Sequence, residues 1–415
     1  MEFSQLQTKR QAYNTSQYHN KTIEKSLRMK FLIGAAKTFG IRKTPLFQLL
    51  VFSKIKNYIR FMTLRQIYMN FDPASSMHGL AMHADIFQSF MALASNLDLV
   101  SQHEDGSYTL NESYLLEREE AQKLLDFHDG HYSKSVSLLH KDYLFIENLI
   151  SADAKSSLGK IMHTKDMQYV REVLMYLSEI NGLNLYYKVH PSFSEEFYTN
   201  LGELAFHTYT KDNFKRFLLD KEFESVLDIG CGNGNYIDVY REYESKQIIG
   251  VERQEKVYEK LKLKYKSDAD IALYNDDILD IHFDQQFDMI NMSYMLFYLT
   301  YEQKLDLFYK LKQILHKNGC IVICQYYPDF EINQELIARH NKKWNLLSRY
   351  KFDICNSILQ GEVLLNNMLA DFAQAERWDI FLTLLDSCGF QVSAITPADD
   401  TYYSYFITIT HKNGG

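Results

Sequence analysis

The sequence predicts an α/β fold, a parallel sheet covered by helices over the second half of the chain, preceded by a mainly helical half. Three observations carry the prediction. From Ser225 onward, short apolar runs of strand length alternate with longer segments of helical period. Upstream, the apolar periodicity is helical almost throughout, with one short pair of strand-like runs. Between them, "SVLDIGCGNGNY" (Ser225 to Tyr236) places Gly230, Gly232 and Gly234 at alternate positions behind an apolar run, in a chain with only 17 glycines among 415 residues. Alternating glycine suits neither strand nor helix, so these three mark a turn with a purpose.

Composition bounds the rest. At 415 residues, two domains are expected, and 46% hydrophobic with 24% charged residues is the balance of a soluble globular protein. No apolar run reaches the roughly 18 residues that span a bilayer, and "MEFSQLQTKRQAYN" lacks the apolar segment of a secretory signal. Cys231, Cys320, Cys324, Cys355 and Cys388 form no CxxC pair and read as reduced core thiols, so a cytoplasmic setting is expected. The net charge of −8 hides an asymmetry: residues 1–70 hold 13 Lys/Arg against two Glu, about +11, which leaves about −19 on the remainder. A basic helical arm on an acidic body accounts for this, as does a contact surface for an anionic partner.

In chain order, residues 1–70 read as that arm, with Pro45 opening a helical segment and Asp72-Pro73 breaking it. Residues 71–180 read as a second region. Here "HADIFQSFMALASNLDLV" is helical, and "SQHEDGSYTLNESY" gives strand, Asp105-Gly106 turn and strand, the layout of a winged helix. The helix before the wing, Asp85 to Leu99, holds no Lys or Arg, so it lacks the cations that would meet DNA phosphates, and nucleic acid is not an expected partner. His128, His131 and His140 match no metal-ligand spacing, and no metal is expected. Residues 181–415 complete the division.

Within that last region the glycines fall between the strand "SVLDI" and the helix "YIDVYREYES", where they let the backbone approach a ligand at the carboxyl end of the strand. The next strand, "QIIGVE", ends in Glu252, about twenty residues past the glycines, where an acid can take both hydroxyls of a ribose. "IALYND" ends in Asp276-Asp277. "FDMINMSY", the helix "YEQKLDLFYKLKQIL", a turn at Asn318-Gly319 and the strand "CIVICQYY" follow. A helix ending at Gly389 and two more strands close the chain.

From Ser225 to Lys412 this order of motifs resembles the class I S-adenosylmethionine-dependent methyltransferases. "LDIGCGNG" has the pattern D-x-G-x-G-x-G, whereas a dinucleotide fingerprint reads G-x-G-x-x-G, and its acid suits a cationic cofactor better than a diphosphate. The resemblance implies a Rossmann-like seven-stranded domain with S-adenosylmethionine as cofactor. It assigns Asp228 to the methionine ammonium, Gly230, Gly232 and Gly234 to the turn, and Glu252 to the ribose. Asp277 and Ile278 fall to adenine, and Asn291 to the segment beneath the sulfonium. Tyr209 is a candidate cover. Less extensively, the upstream half resembles the winged-helix dimerisation domain of small-molecule O-methyltransferases, implying a homodimer and a small-molecule acceptor of natural-product type.

In that family a histidine after the fourth strand serves as base. Here "SYMLFYLTYEQ" places Phe297-Tyr298 in its stead. Tyr298, Tyr326, His207 and His340 remain as candidates for base or pocket wall, and alignment of acceptor with methyl can carry much of the catalysis by itself. O-, N- and C-methylation stay open. So do two rival functions, a methyltransferase on a macromolecular or carrier-tethered substrate and a non-enzymatic winged-helix regulator.

Overall fold

A computed structural model describes residues 45–79, 82–127, 132–156, 159–160, 163, 165–188, 202–219, 221–243, 247–327, 346–370, 372–373, 376–398 and 404–412. The chain divides into two units, Met1–Ser192 with Lys343–Ala370, and Phe193–Lys342 with Asp371–Gly415.

The first unit is built on α1, Pro45–Asn70. Tyr58, Ile59, Phe61 and Met62 on this helix are wholly buried. α2 (Ala84–Asn96) leads into a hairpin of β1 (Val100–Gln102) and β2 (Tyr108–Leu110), antiparallel, with Gly106 at φ +80° in the turn. α3 (Arg118–Leu125), α4 (Lys134–Ile150) and α5 (Lys165–Leu177) follow, and the late helix Leu346–Asn367 groups with this unit. Four of the 13 cations of the basic segment lie among the described residues, and each is engaged inside the unit. Lys54 pairs with Asp142, Lys56 with Asp353 at 2.6 Å and Arg60 with Asp98 at 2.9 Å. Arg65 donates to the carbonyls of Leu125 and Asn181 and lies 4.0 Å from the centroid of the Phe127 ring. His140 packs between Phe61 and Tyr132, while His128 and His131 lie outside the described residues.

The second unit contains α6 (Lys211–Leu218), β3 (Ser225–Ile229), α7 (Asn235–Glu242), β4 (Gln247–Val251), α8 (Glu255–Lys264) and β5 (Ile271–Tyr274). These are followed by β6 (Phe287–Ser293), α9 (Tyr301–Ile314), β7 (Leu315–Gln325), α10 (Trp378–Ser387), β8 (Phe390–Pro397) and β9 (Tyr405–His411). The sheet has seven strands in the order β5-β4-β3-β6-β7-β9-β8. The first five are parallel, and β9 enters antiparallel between β7 and β8. Alternate residues of each strand serve opposite layers. Leu227, Ile290 and Ile323 meet Leu307 and Phe308 of α9 and Phe381 of α10 in one core, whereas Val226, Met289 and Val322 meet Phe214 of α6 and Ile237 of α7 in the other. Strand order reverses between β3 and β6, which puts the crevice of an open α/β sheet at the carboxyl ends of those two strands.

One expectation is corrected. Asn318-Gly319 does not precede a strand beginning at Cys320; β7 starts at Leu315, and the register jumps from Phe287↔Leu315 to Met289↔Cys320. The extra residues are accommodated as an irregularity inside the strand. All five cysteines are buried and unbridged. Among the described residues, no helix is long and apolar enough to cross a membrane.

Candidate active site

The site grows from the end of β3. Gly230, Gly232 and Gly234 all adopt positive φ, at +68°, +53° and +75°, a region that side chains disfavour. Space imposes the same choice at Gly234, where a Cβ would lie 2.4 Å from the Tyr265 hydroxyl. That hydroxyl lies 2.9 Å from the Gly234 carbonyl oxygen and 2.8 Å from Asp238 Oδ1, and Lys264 donates to the Asn233 carbonyl and to Asp238 Oδ2. The turn is thus braced from the end of α8.

Two acids face the turn from below and beside it. Asp228 is 1% exposed, and its Oδ1 accepts from Asn291 Nδ2 at 2.7 Å. Its Oδ2 is buried with no hydrogen-bonding partner among the described residues. Burial, opposed by the Asn291 bond and reinforced by the charge of Glu252, pushes its carboxyl up to about 7. An incoming ammonium would supply both the missing partner and the missing charge. Glu252, just past β4, accepts from the Gly232 amide at Oε2 (3.0 Å) and from the Gln254 amide at Oε1 (2.8 Å). Those bonds fix the carboxylate and leave each oxygen a lone pair for a diol. The residues present therefore fit an adenosyl sulfonium amino acid.

Next along this edge, Asn275 ties the ends of β4 and β5 by donating to the carbonyls of Glu252 and Arg253. Asp277 accepts from the Leu279 amide and stands 3.8 Å from Arg253, Asp276 accepts from the Asp277 amide, and Ile278 is buried in the core. Asn291, on β6 in register with Asp228, also accepts from Ser293.

Beyond β6 an aromatic wall forms. Tyr326 is 1% exposed and stacks on Phe297 at 4.8 Å, and Phe297 stacks on Phe372 at 5.5 Å. Tyr298 meets Phe372 edge-on and is 49% exposed. The Ala373 amide donates to the Phe297 carbonyl, and buried Lys304 pairs with Glu376, which holds this stretch against α9. His207 and Tyr209 are exposed on a π-helical turn, Phe206–Thr210, whose Phe206 packs on Tyr236. His340 lies outside the described residues. Asp228, the glycines, Glu252 and Asn291 come together, and Asp277 follows on the neighbouring strand end. Tyr298 and Tyr326 belong to the wall. Tyr265 and Asn275 escaped the sequence reading, since an isolated tyrosine or asparagine carries no motif.

This braced glycine turn over a buried acid, at the switch point of a seven-stranded sheet, lies in the part of the chain that matches a family of known description. Residues 226–319 match the family described as "Methyltransferase domain". Among curated proteins, the chain is 30% identical over 134 residues to a carboxy-S-adenosyl-L-methionine synthase of Glaesserella parasuis serovar 5 (strain SH0165), a match covering 30% of this chain and 54% of that one. It is 26% identical over 176 residues to the synthase of the same name from Actinobacillus pleuropneumoniae serotype 5b (strain L20), covering 38% and 72%. The chain thus spans about half the length of the first of these relatives. Among solved structures, it is similar to an O-methyltransferase family 2 protein from Planctomyces limnophilus in complex with apigenin, at 12% identity and TM-score 0.46, covering 88% of this chain and 95% of that one.

Proposed function

We propose that the protein transfers a methyl group from S-adenosylmethionine to a small-molecule acceptor, with an oxygen as the methylated atom. The observation that carries the reading is the geometry around Asp228: a buried carboxylate oxygen without a partner among the described residues, beside a glycine turn and a fixed Glu252. When bound, the cofactor supplies an electrophilic methyl on sulfur. Asp228 holds the ammonium, Glu252 the ribose and Asp277 the adenine amino group. The wall of Phe297, Tyr298, Tyr326 and Phe372 favours a flat, partly apolar acceptor and turns it toward the methyl by stacking. The half-exposed Tyr298 can hydrogen-bond such an acceptor, and the buried Tyr326 stiffens the wall from behind.

The first unit supports a dimerisation role of winged-helix type through its α2–hairpin succession. α2 carries no Lys or Arg, and the described basic residues of α1 are spent on internal pairs, so a nucleic-acid function finds no support there. The names of the two curated relatives favour a second reading, in which the domain holds or makes a carboxylated form of the cofactor. Mass spectrometry of small molecules that copurify with the protein separates the two. Labelled methyl transfer into metabolite extracts tests the first directly, and absence of transfer by protein that binds the cofactor would count against it.

A further inference from the structure

Among the described residues, three that are not glycine adopt positive φ: Asp98 at +55°, Phe127 at +56° and Tyr294 at +53°. Asp98 and Phe127 each stand one residue past the C-cap of a helix, Leu97 after α2 and Asp126 after α3. That position commonly turns left-handed to end a helix, which gives both residues a structural cause whatever their side chains. Tyr294 ends no helix. It follows Ser293, the last residue of β6, and an aromatic side chain seldom accepts this backbone geometry. Such outliers cluster at sites where the conformation itself is needed.

Several contacts hold Tyr294 in place. Its amide donates to the Cys324 carbonyl at 2.8 Å, and its hydroxyl hydrogen-bonds Ser404 Oγ at 2.5 Å. Its ring centroid lies 6.5 Å from that of Phe297. The bend also seats the next residue on the glycine turn, with Met295 Cβ 3.2 Å from the position a Cβ on Gly230 would take. Ile229 pairs with Met292, so Tyr294 stands just past the strand ends, beside the turn that admits the cofactor. Though fixed at amide and hydroxyl, it remains 38% exposed.

We propose that Tyr294 is the aromatic wall on the sulfonium side of the cofactor site, a residue that contacts the cofactor and positions the methyl to be transferred. This rests on residues 226–319 being an S-adenosylmethionine site. The electron-rich face of a phenol attracts a cation. S-adenosylmethionine is positive at sulfur, whereas S-adenosylhomocysteine is neutral there and lacks only the methyl. The ratio of the two affinities therefore isolates the contact without knowledge of the acceptor.

The test is calorimetric titration of the full chain with each compound, for wild type, Tyr294→Phe, Tyr294→Leu and Tyr294→Gly. The preference for the sulfonium form should fall roughly 2- to 30-fold in Tyr294→Leu and Tyr294→Gly. Tyr294→Phe, which keeps the ring, should stay within about twofold of wild type. Tyr294→Gly also relieves the backbone, so its thermal midpoint should not fall below that of Tyr294→Leu, and it carries the test should Tyr294→Leu fail to fold. Wild-type protein that binds neither compound would overturn the site and the proposal together. Wild type that binds both, with an unchanged ratio in the Leu and Gly variants, would overturn the proposal alone.

Discussion

Asp228 on β3 and Asn291 on β6 are 63 residues apart in sequence and face each other across adjacent parallel strands, the amide donating to Oδ1 at 2.7 Å while Oδ2 stays buried without a partner among the described residues. The pair is half satisfied, and the unsatisfied half lies at the carboxyl edge of the sheet. Most of the binding chemistry follows from that asymmetry.

The pH dependence of cofactor affinity comes first. In the cofactor-free fold Asp228 titrates near 7, against an ordinary 3.8. Because a cation selects the ionised form, affinity should fall as pH drops through about 7 and level off above it. Folding stability runs the other way. The unfolded chain loses this proton near 3.8 and the fold keeps it to about 7, so this contribution weakens as pH rises between those values and is flat above. Glu362, also pushed up to about 7 by burial, acts in the same window. Comparison with Asp228→Asn isolates the Asp228 share; that variant should bind the cofactor weakly, with no pH step near 7. A step that survives in Asp228→Asn would assign it to another group.

Glu252→Ala removes charge-assisted bonds worth about 1.5–3 kcal/mol, so S-adenosylhomocysteine should bind on the order of 10- to 150-fold more weakly. The same change frees the Gly232 and Gln254 amides, and so loosens the turn. Unchanged affinity by calorimetry would remove Glu252 from the ribose site.

Tyr298 separates wall from base. Tyr298→Phe should slow turnover by no more than about threefold, while Tyr298→Ala, which deletes the ring, should cost at least about tenfold through misplaced acceptor. Equal losses in both variants, with a limb missing from the pH–rate profile, would make the phenol the base.

Lys304 and Glu376 pair in the core, with Lys304 fully buried and its ammonium held below its ordinary pKa, chiefly by burial. Lys304→Met strands a buried carboxylate and should cost about 3–5 kcal/mol in denaturant unfolding, whereas Lys304→Met with Glu376→Leu should recover most of it. A double variant as unstable as the single one would mean that the pair itself stabilises the fold.

Much of this was legible in the chain because its causes are local. Alternating glycines behind an apolar run demand a turn of positive φ. Glu252 sits a fixed strand and helix beyond the glycines, so its place at the next strand end follows from counting. By itself, then, the sequence determined the α/β second half, the strand-to-helix turn and the residue types that suit a cationic nucleoside. Only the tertiary structure decided that Asn291 would meet one oxygen of Asp228, that Tyr265 would brace Gly234, and that Tyr294 would bend backward beside Gly230. It also decided that the helix Leu346–Asn367 would group with the first unit and that β9 would enter between β7 and β8. Each of these depends on which strands and helices become neighbours, and burial rewards an apolar face equally for many partners. Sheet order and close packing choose among them, and with that choice they fix which polar atoms remain open to a ligand.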